Sequence, residues 1–271
     1  MTRAAILVMI GVSMASAADY PSEIAAWRRA REAALKADGG WLSLAGLFWL
    51  HDGPNRFGRD AASDIVLPDG PAHAGSFQLQ NGGVAVMMDG ATRPVEHDSN
   101  DRIHVGRLNL QVIRRAGKYA IRVRDPESEY RRNFHGIESY PVDESWRITA
   151  RFVPEPHKIP ILNIIGQTEE DDCPGYAVFQ IHGHEYRLYP IFEEPGAKEL
   201  FYIFRDLTSG KETYGAGRFF YSALPENGRV VLDFNKAYNP PCAFSPYATC
   251  PLPPKENRLD VRIEAGEKSY H

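Results

Sequence analysis

The residues that could support catalysis lie mostly in the last quarter of the chain, in residues 206–257. Asp206 ends an apolar segment, and Arg218 begins another one after a flexible Gly-Ala-Gly sequence. Two-residue alternation along a strand would place Asp233 and Asn235 on the same face. This combination is typical of a hydrolytic site, with Asp233 as general acid or base, Asp206 as its partner carboxylate and Arg218 as a clamp for an anion or oxyanion.

The same three residues also have a structural interpretation. Asp206 precedes Thr-Ser-Gly, so its carboxylate could cap a turn. An ion pair of Arg218 with either aspartate could simply stabilise the fold, since structural ion-pair networks perturb carboxylates too. We expect Asp233 to be mostly buried and to lie within hydrogen-bond or ion-pair distance of Arg218.

Neutral polar side chains accompany this cluster: Thr213, Asn235, Tyr238 and Asn239. Amides and phenols of this kind bind the hydroxyl groups of sugar-like molecules, and they also hold irregular backbone in place. We predict that they bind substrate, with backbone support as the alternative.

The chain has three cysteines, Cys173, Cys242 and Cys250. Cys242 and Cys250 flank a proline-rich segment and could form a disulfide in an oxidising compartment, with two buried thiols as the alternative. Their eight-residue spacing, without a neighbouring histidine, does not fit a zinc site, and we predict no metal. Cys173 lies in an acidic turn and has no evident partner.

Other motifs that would indicate a function are missing from the sequence. It contains no G-x-S-x-G, P-loop, H-E-x-x-H or dinucleotide-binding glycine motif, so we expect no cofactor. The sequence His182-Gly183-His184 favours a hairpin turn over a metal site. A net charge of −4 gives no electrostatic signature of nucleic-acid binding.

Charged residues are concentrated where the two halves of the chain meet: Arg122, Arg124, Asp125, Glu127, Glu129, Arg131 and Arg132. We interpret the last four as an inter-domain hinge held by charges. The first three could face the same crevice.

The elements that must position these residues are mainly β-strands. One helix is predicted over residues 22–37, with Ser22 as its N-cap. The apolar segment 41–50 fits a buried strand pair or a short helix equally well. Short strands follow at residues 64–68, 75–79, 83–88, 102–106, 108–114 and 118–124. Their spacing predicts a small β-sandwich, and residues 55–68 resemble the opening of a forkhead-associated-type sandwich in architecture only.

A second β unit is predicted to follow, as an antiparallel barrel or sandwich. Its strands are expected at residues 146–153, 159–165, 176–181, 185–191, 200–205, 218–222, 230–234 and 259–263. Hairpin turns are expected at His182-Gly183-His184 and at Glu226-Asn227-Gly228. The predicted domains are residues 18–140, with the helix and the sandwich, and residues 141–271, with the site.

Residues 1–17 have the features of a signal peptide. A positively charged start precedes a short apolar run, and Ala15-Ser16-Ala17 fits a signal peptidase site. The run is too short to span a membrane. We therefore expect an exported, periplasmic protein that is soluble after cleavage behind Ala17.

Several longer motifs are shared with a known family: WLSLAGL, FHGI, TYGAGR, LDFNKAYNPPCAF and ATCPLPPKENRL. Through them the chain resembles the bacterial domain-of-unknown-function 1684 family over nearly all of its mature length. The resemblance implies no established activity. It implies that the family signature includes Asp206, Thr213, Arg218, Asp233, Asn235, Asn239, Cys242 and Cys250. It also favours a packing or ligand role for the two cysteines over an obligatory disulfide, because members without an export signal carry the same pair.

We therefore expect an all-β protein with one N-terminal helix that acts as a hydrolase on a small polar or glycan-like substrate. The alternative is a non-catalytic periplasmic binding protein, in which the same residues hold a ligand. A purely structural envelope protein would need no convergence of polar residues at all.

Overall fold

The computed structural model describes residues 19–270, and the predicted signal peptide lies outside them. The chain is mainly β-strand, with one long helix, α1 (Tyr20–Lys36), at the start of the described part. None of the helices in that part is both long and apolar enough to cross a membrane.

Helix α1 begins earlier than the sequence predicted. The Asp19 carboxylate, not Ser22, caps it, because it accepts a hydrogen bond from the Ser22 backbone N–H at 3.0 Å. Pro21 fits the first turn, where a helix needs no backbone donor.

Nine strands form the first β unit: β1 (Leu44–Trp49), β2 (Gly53–Gly58), β3 (Ile65–Val66), β4 (Gly75–Gln80), β5 (Gly83–Met88), β6 (Ala91–Val95), β7 (Ile103–Val105), β8 (Leu108–Arg115) and β9 (Lys118–Arg124). One sheet has the order β1-β9-β8-β7 and the other β3-β2-β4-β5-β6. Buried side chains from both sheets share one core, including Phe57, Phe77, Leu110 and Ile121. The predicted small sandwich is confirmed.

Most of the apolar segment 41–50, for which the sequence left two interpretations open, forms strand β1. It pairs antiparallel with β9, with an irregularity between Leu44 and Gly46. Phe48 packs against the core of the sandwich, whereas Leu44 belongs to a cluster formed mainly by the second unit. The segment is apolar throughout because it faces two cores.

Six strands form the second unit: β10 (Arg147–Leu162), β11 (Thr168–Ile181), β12 (His184–Leu188), β13 (Glu199–Phe204), β14 (Arg218–Ala223) and β15 (Arg229–Asp233). Their sheets have the orders β12-β11-β10-β15 and β13-β14, and no closed barrel is formed over residues 19–270. A one-turn helix, α2 (Glu129–Arg132), lies in the connection between the two units.

Two strand predictions in this unit were wrong. The single strand β10 covers most of the predicted segments 146–153 and 159–165, and it absorbs Pro154 and Pro156 at an irregularity between Pro154 and His157. The predicted strand at 259–263 does not form. The Asp206 carboxylate accepts the Ile263 backbone N–H at 2.7 Å, so a side chain replaces a ladder partner there.

Both predicted hairpin turns are confirmed. His182 and Gly183 have φ angles of 52° and 81°, and Asn227 and Gly228 have 51° and 71°. Two successive positive φ values are typical of a type I′ turn, which suits the twist of paired strands.

Helix α1 makes its hydrogen bonds to the second unit. The Tyr20 hydroxyl donates to Asp233 at 2.7 Å, and Arg28 donates to the Tyr140 carbonyl at 2.9 Å. Arg31 forms an ion pair with Glu267 at 3.3 Å. These contacts connect the helix to the second unit and to the segment that precedes it.

Candidate functional site

Arg218 and Asp206 form a fully buried ion pair. The Arg218 Nη2 atom lies 3.4 Å from the Asp206 Oδ1 atom, and neither side chain is exposed. Arg218 also donates to the carbonyls of Ala265 and Ile263, the latter at 2.9 Å. Thr208 donates its hydroxyl to Asp206 at 2.9 Å. Burial lowers the pKa of Arg218, and the Asp206 charge opposes this change. The pair is held by internal partners, which is the structural interpretation of the cluster.

Asp233 does not contact Arg218, so the predicted pair is wrong. Its carboxylate accepts the Tyr20 hydroxyl and lies 3.7 Å from the Lys236 Nζ atom. The cause is topological. Arg218 begins β14, which pairs with β13, whereas Asp233 ends β15, which pairs with β10 in the other sheet. The predicted burial of Asp233 is confirmed, at 6% exposure.

Three of the four residues predicted to bind substrate are completely buried. Thr213 shares a 2.8 Å hydroxyl contact with Thr208. Asn235 donates to the Tyr20 hydroxyl at 2.9 Å. Asn239 donates its backbone N–H to Glu267 at 2.6 Å. These contacts hold irregular backbone, whereas the fourth residue, Tyr238, lies elsewhere and is described below.

Cys242 and Cys250 are neighbours as free thiols, so the disulfide that we considered is not formed in this structure. The Cys242 backbone N–H donates to the Cys250 sulfur at 3.1 Å. The adjacent Cys250 thiol lowers the pKa of Cys242, whereas the same contact and burial raise the pKa of Cys250. Burial also raises the pKa of Cys173 to about 11.

A large cleft lies between the two β units, away from the predicted catalytic cluster. The first unit and the segment before it contribute Trp41, Asp98, Arg115 and Arg122, and α1 contributes Arg31. The second unit contributes acidic and aromatic side chains: Glu169, Asp171, Glu193, Phe201, Phe219, Tyr221 and Tyr238. At one end of the cleft the units touch, because the Ala116 backbone N–H donates to Glu169 at 2.6 Å.

Arg122 is the unusual residue of this cleft. It is only 5% exposed, yet its Nε atom has no hydrogen-bond partner. Within residues 19–270 its guanidinium makes no ion pair either, and it lies over the Trp41 ring, 5.1 Å from the ring centre. Burial, with help from Arg115 and Arg124, lowers the pKa of Arg122 to about 10, and the charge of Asp98 opposes this change. A buried cation without an ion-pair partner is costly.

The opposite wall carries carboxylates. Glu193 accepts the Tyr221 hydroxyl at 2.6 Å, and partial burial in the cleft raises the pKa of Glu193. Burial and the neighbouring Glu169 raise the pKa of Asp171. The Tyr221 ring stacks on Phe201, with 4.8 Å between the ring centres. Carboxyls with a raised pKa beside a cleft are candidates for proton transfer or for cation binding.

Two of the site residues predicted from the sequence line the cleft: Tyr238, predicted to bind substrate, and Cys250, predicted to form a possible disulfide. The Arg31 guanidinium lies 4.5 Å above the Tyr238 ring. The sequence analysis did not single out Trp41, Asp171 or Tyr221, because nothing in their local patterns separates them from core or surface residues. The structure describes no group of three or more His, Cys, Asp or Glu residues arranged to hold a metal ion in residues 19–270.

Comparisons with known proteins give a family but no activity. No curated protein matches the chain. Among solved structures, an uncharacterized protein of Haloarcula marismortui, determined by solution NMR, is 29% identical, with a TM-score of 0.43, and the match covers 51% of this chain and 78% of that protein. The family profile described as "Protein of unknown function (DUF1684)" matches residues 132–268, which include the second β unit but not Arg122. The chain belongs to the DUF1684 family.

Proposed function

We propose that the cleft between the two β units binds a small anionic ligand with an apolar body, and that Arg122 binds its anionic group. The observation that carries this proposal is the buried Arg122 side chain, which forms no ion pair within residues 19–270 and whose Nε atom has no hydrogen-bond partner. It favours the binding-protein alternative of the sequence analysis and moves the site from the Asp206 cluster to the cleft.

The energetics support a role beyond packing for Arg122. Burying a charged group without a partner costs several kcal/mol in proteins. A buried cation–π contact with Trp41 offsets about 2 kcal/mol of that cost. A carboxylate or another anionic oxygen group would satisfy the guanidinium with charge-assisted hydrogen bonds.

The rest of the cleft fits a ligand with an apolar or aromatic body. The walls near Arg122 include Trp41, Phe201, Phe219 and Tyr221, and these rings provide flat apolar surface. Such a lining with a few polar groups is the usual composition of a small-molecule site.

The proposal can be tested with 3-phenylpropionate as the probe and 3-phenylpropan-1-ol as its uncharged control. For a ligand of this size, a dissociation constant on the order of 1 mM is expected, measured by NMR titration. Arg122→Met should abolish binding of the acid, whereas Arg124→Met on the same strand should retain it. Equal binding of acid and alcohol, equal binding by Arg122→Met, or no binding of the acid would contradict the proposal.

A second candidate, hydrolysis, is favoured by Glu193. Its carboxyl has a raised pKa and a 2.6 Å contact to Tyr221, so it could act as a general acid beside a bound anionic substrate. The test is release of 4-nitrophenolate from 4-nitrophenyl glucuronide, an anionic glycan-like substrate. Glu193→Gln should lower the rate by about 10²-fold or more. No release by the wild type, or undiminished release by the variant, would leave binding as the function.

We also propose that the protein is exported to the periplasm. Support comes from the charged start, the apolar run and the Ala15-Ser16-Ala17 sequence. Intact-mass measurement of the exported protein should give a chain that starts at Ala18. A soluble protein that retains residues 1–17 would contradict export.

A further inference from the structure

The two walls of the cleft carry opposite charges that do not neutralise each other. On the first wall, Arg115 is paired with Asp98 at 2.7 Å, which leaves Arg122 as the unmatched cation. No ion pair in residues 19–270 connects Arg122 with a carboxylate of the second unit. The cleft therefore separates charges that would otherwise attract each other.

The second wall has unmatched carboxylates. Asp171 and Glu193 line the cleft, and neither forms an ion pair with a basic residue in the described part of the chain. The nearby Lys158 pairs with Asp172 instead, at 2.7 Å. The two carboxylates repel each other, and the negative charge of Glu193 is one cause of the raised pKa of Asp171.

The aromatic rings beside these carboxylates also suit a cation. Tyr221 and Tyr238 are nearly parallel, with an angle of 15° between rings and 6.3 Å between their centres. The Tyr221 hydroxyl is directed to Glu193. Aromatic faces next to carboxylates are a recurring arrangement for binding ammonium groups.

We infer that the natural ligand is a zwitterion of the amino-acid type, whose carboxylate pairs with Arg122 and whose ammonium group lies between Asp171 and Glu193 against Tyr221. The inference rests on the proposed function and specifies the class of ligand. A single zwitterionic molecule would neutralise both the positive charge of Arg122 and the negative charge of the opposite wall. A purely anionic ligand would leave the acidic wall unneutralised and would therefore bind more weakly than a zwitterion.

The experiment compares three probes with the same aromatic body at pH 7.5: L-phenylalanine, 3-phenylpropionate and 2-phenylethylamine. Calorimetry or NMR titration should give a dissociation constant for L-phenylalanine at least tenfold lower than for either singly charged probe. In the double variant Asp171→Asn/Glu193→Gln, the advantage of L-phenylalanine over 3-phenylpropionate should disappear. Retained binding of 3-phenylpropionate shows that the variant is folded with Arg122 in place.

Glu194→Gln is the matched control, because Glu194 is exposed, follows Glu193 and does not line the cleft. It should keep the preference for L-phenylalanine. If 3-phenylpropionate binds as tightly as L-phenylalanine to the wild type, the zwitterion inference is overturned while the anion site stands. If the double variant keeps the full preference, the inference is also overturned. If no probe with a carboxylate binds, the proposed function fails and the inference fails with it.

Discussion

The Arg218 Nη2 atom lies 3.4 Å from the Asp206 Oδ1 atom, and both side chains are fully buried. Arg122, by contrast, is almost as deeply buried and forms no ion pair within residues 19–270, although the charge of Asp98 acts on it from a distance. The two arginines thus differ in one respect that can be measured. Removal of the first breaks a buried ion pair, and removal of the second relieves a buried charge that has no ion pair.

Arg218→Met should strongly destabilise the protein. It leaves the Asp206 carboxylate buried without its cation, and breaking a buried pair from one side costs about 3–5 kcal/mol. Urea denaturation measures the change in the free energy of unfolding. Arg262→Met, which removes an exposed cation paired with Glu212 and Glu264, is the control and should change stability little. Similar small effects for both variants would contradict a structural role for the Arg218–Asp206 pair.

Arg122→Met should leave the free energy of unfolding unchanged or raise it, by up to about 2 kcal/mol, because an apolar side chain replaces a buried, unmatched charge. The matched control is Arg124→Met. Arg124 is 8% exposed and contacts the same Trp41 ring, but it donates to the Gly40 carbonyl at 3.1 Å. Its loss should lower stability by about 1 kcal/mol. A larger loss for Arg122→Met than for Arg124→Met would show that Arg122 serves the fold and not a ligand.

Asp171→Asn should make stability less dependent on pH. Burial and Glu169 raise the pKa of Asp171, so the folded state favours its protonated form. Its contribution to stability is fully present below the pKa of an unfolded aspartate and is lost as the pH rises through the raised folded value. The variant should therefore melt at a higher temperature than wild type at pH 8 and at nearly the same temperature at pH 3. Asp260→Asn, at an exposed position, is the control. A lower melting temperature for Asp171→Asn at pH 8 would contradict this account.

The three thiols should differ in reactivity. The Cys250 thiol lowers the pKa of Cys242, whereas burial raises the pKa of Cys173 to about 11. Since the thiolate is the reactive form, Cys242 should be alkylated by iodoacetamide at least tenfold faster than the other two in the native protein. Peptide mass mapping after timed exposure gives the three rates, with the urea-unfolded chain as control. An oxidised pair that resists alkylation until reductant is added would instead support the disulfide.

Local features of the sequence were sufficient to predict much of the fold. The Asn227-Gly228 turn was predictable because two adjacent residues with positive φ define it. Strand β9 was predicted with its observed bounds, because Tyr119, Ile121 and Val123 alternate with charged residues. The prediction failed where a distant side chain decides the outcome. Leu259 and Val261 share backbone hydrogen bonds with Arg205 and Leu207, but the Ile263 N–H donates to the Asp206 carboxylate, far away in sequence.

The candidate site was less predictable than the fold. Alternation along β9 does place Arg122 on the face opposite the sandwich core, and the sequence analysis assigned it to an inter-domain crevice. Its burial, however, depends on Trp41 and on a second unit that begins more than twenty residues later. The Asp206, Arg218 and Asp233 set looked catalytic because isolated charges between apolar strands are rare. Two of the three are in fact a buried structural pair, and the third anchors α1.

The docking of α1 on the second unit has a consequence for how the chain acquires its structure. Tyr20 and Asp233 are 213 positions apart, and Arg31 pairs with Glu267 near the other end of the described chain. The sandwich between them is built largely from neighbouring hairpins, and all its strands have been made by Arg124, whereas α1 must wait for nearly the whole polypeptide. Helix α1, the first helix of the described residues to be synthesised, is thus expected to be among the last elements to pack. Its apolar side stays exposed to solvent until then.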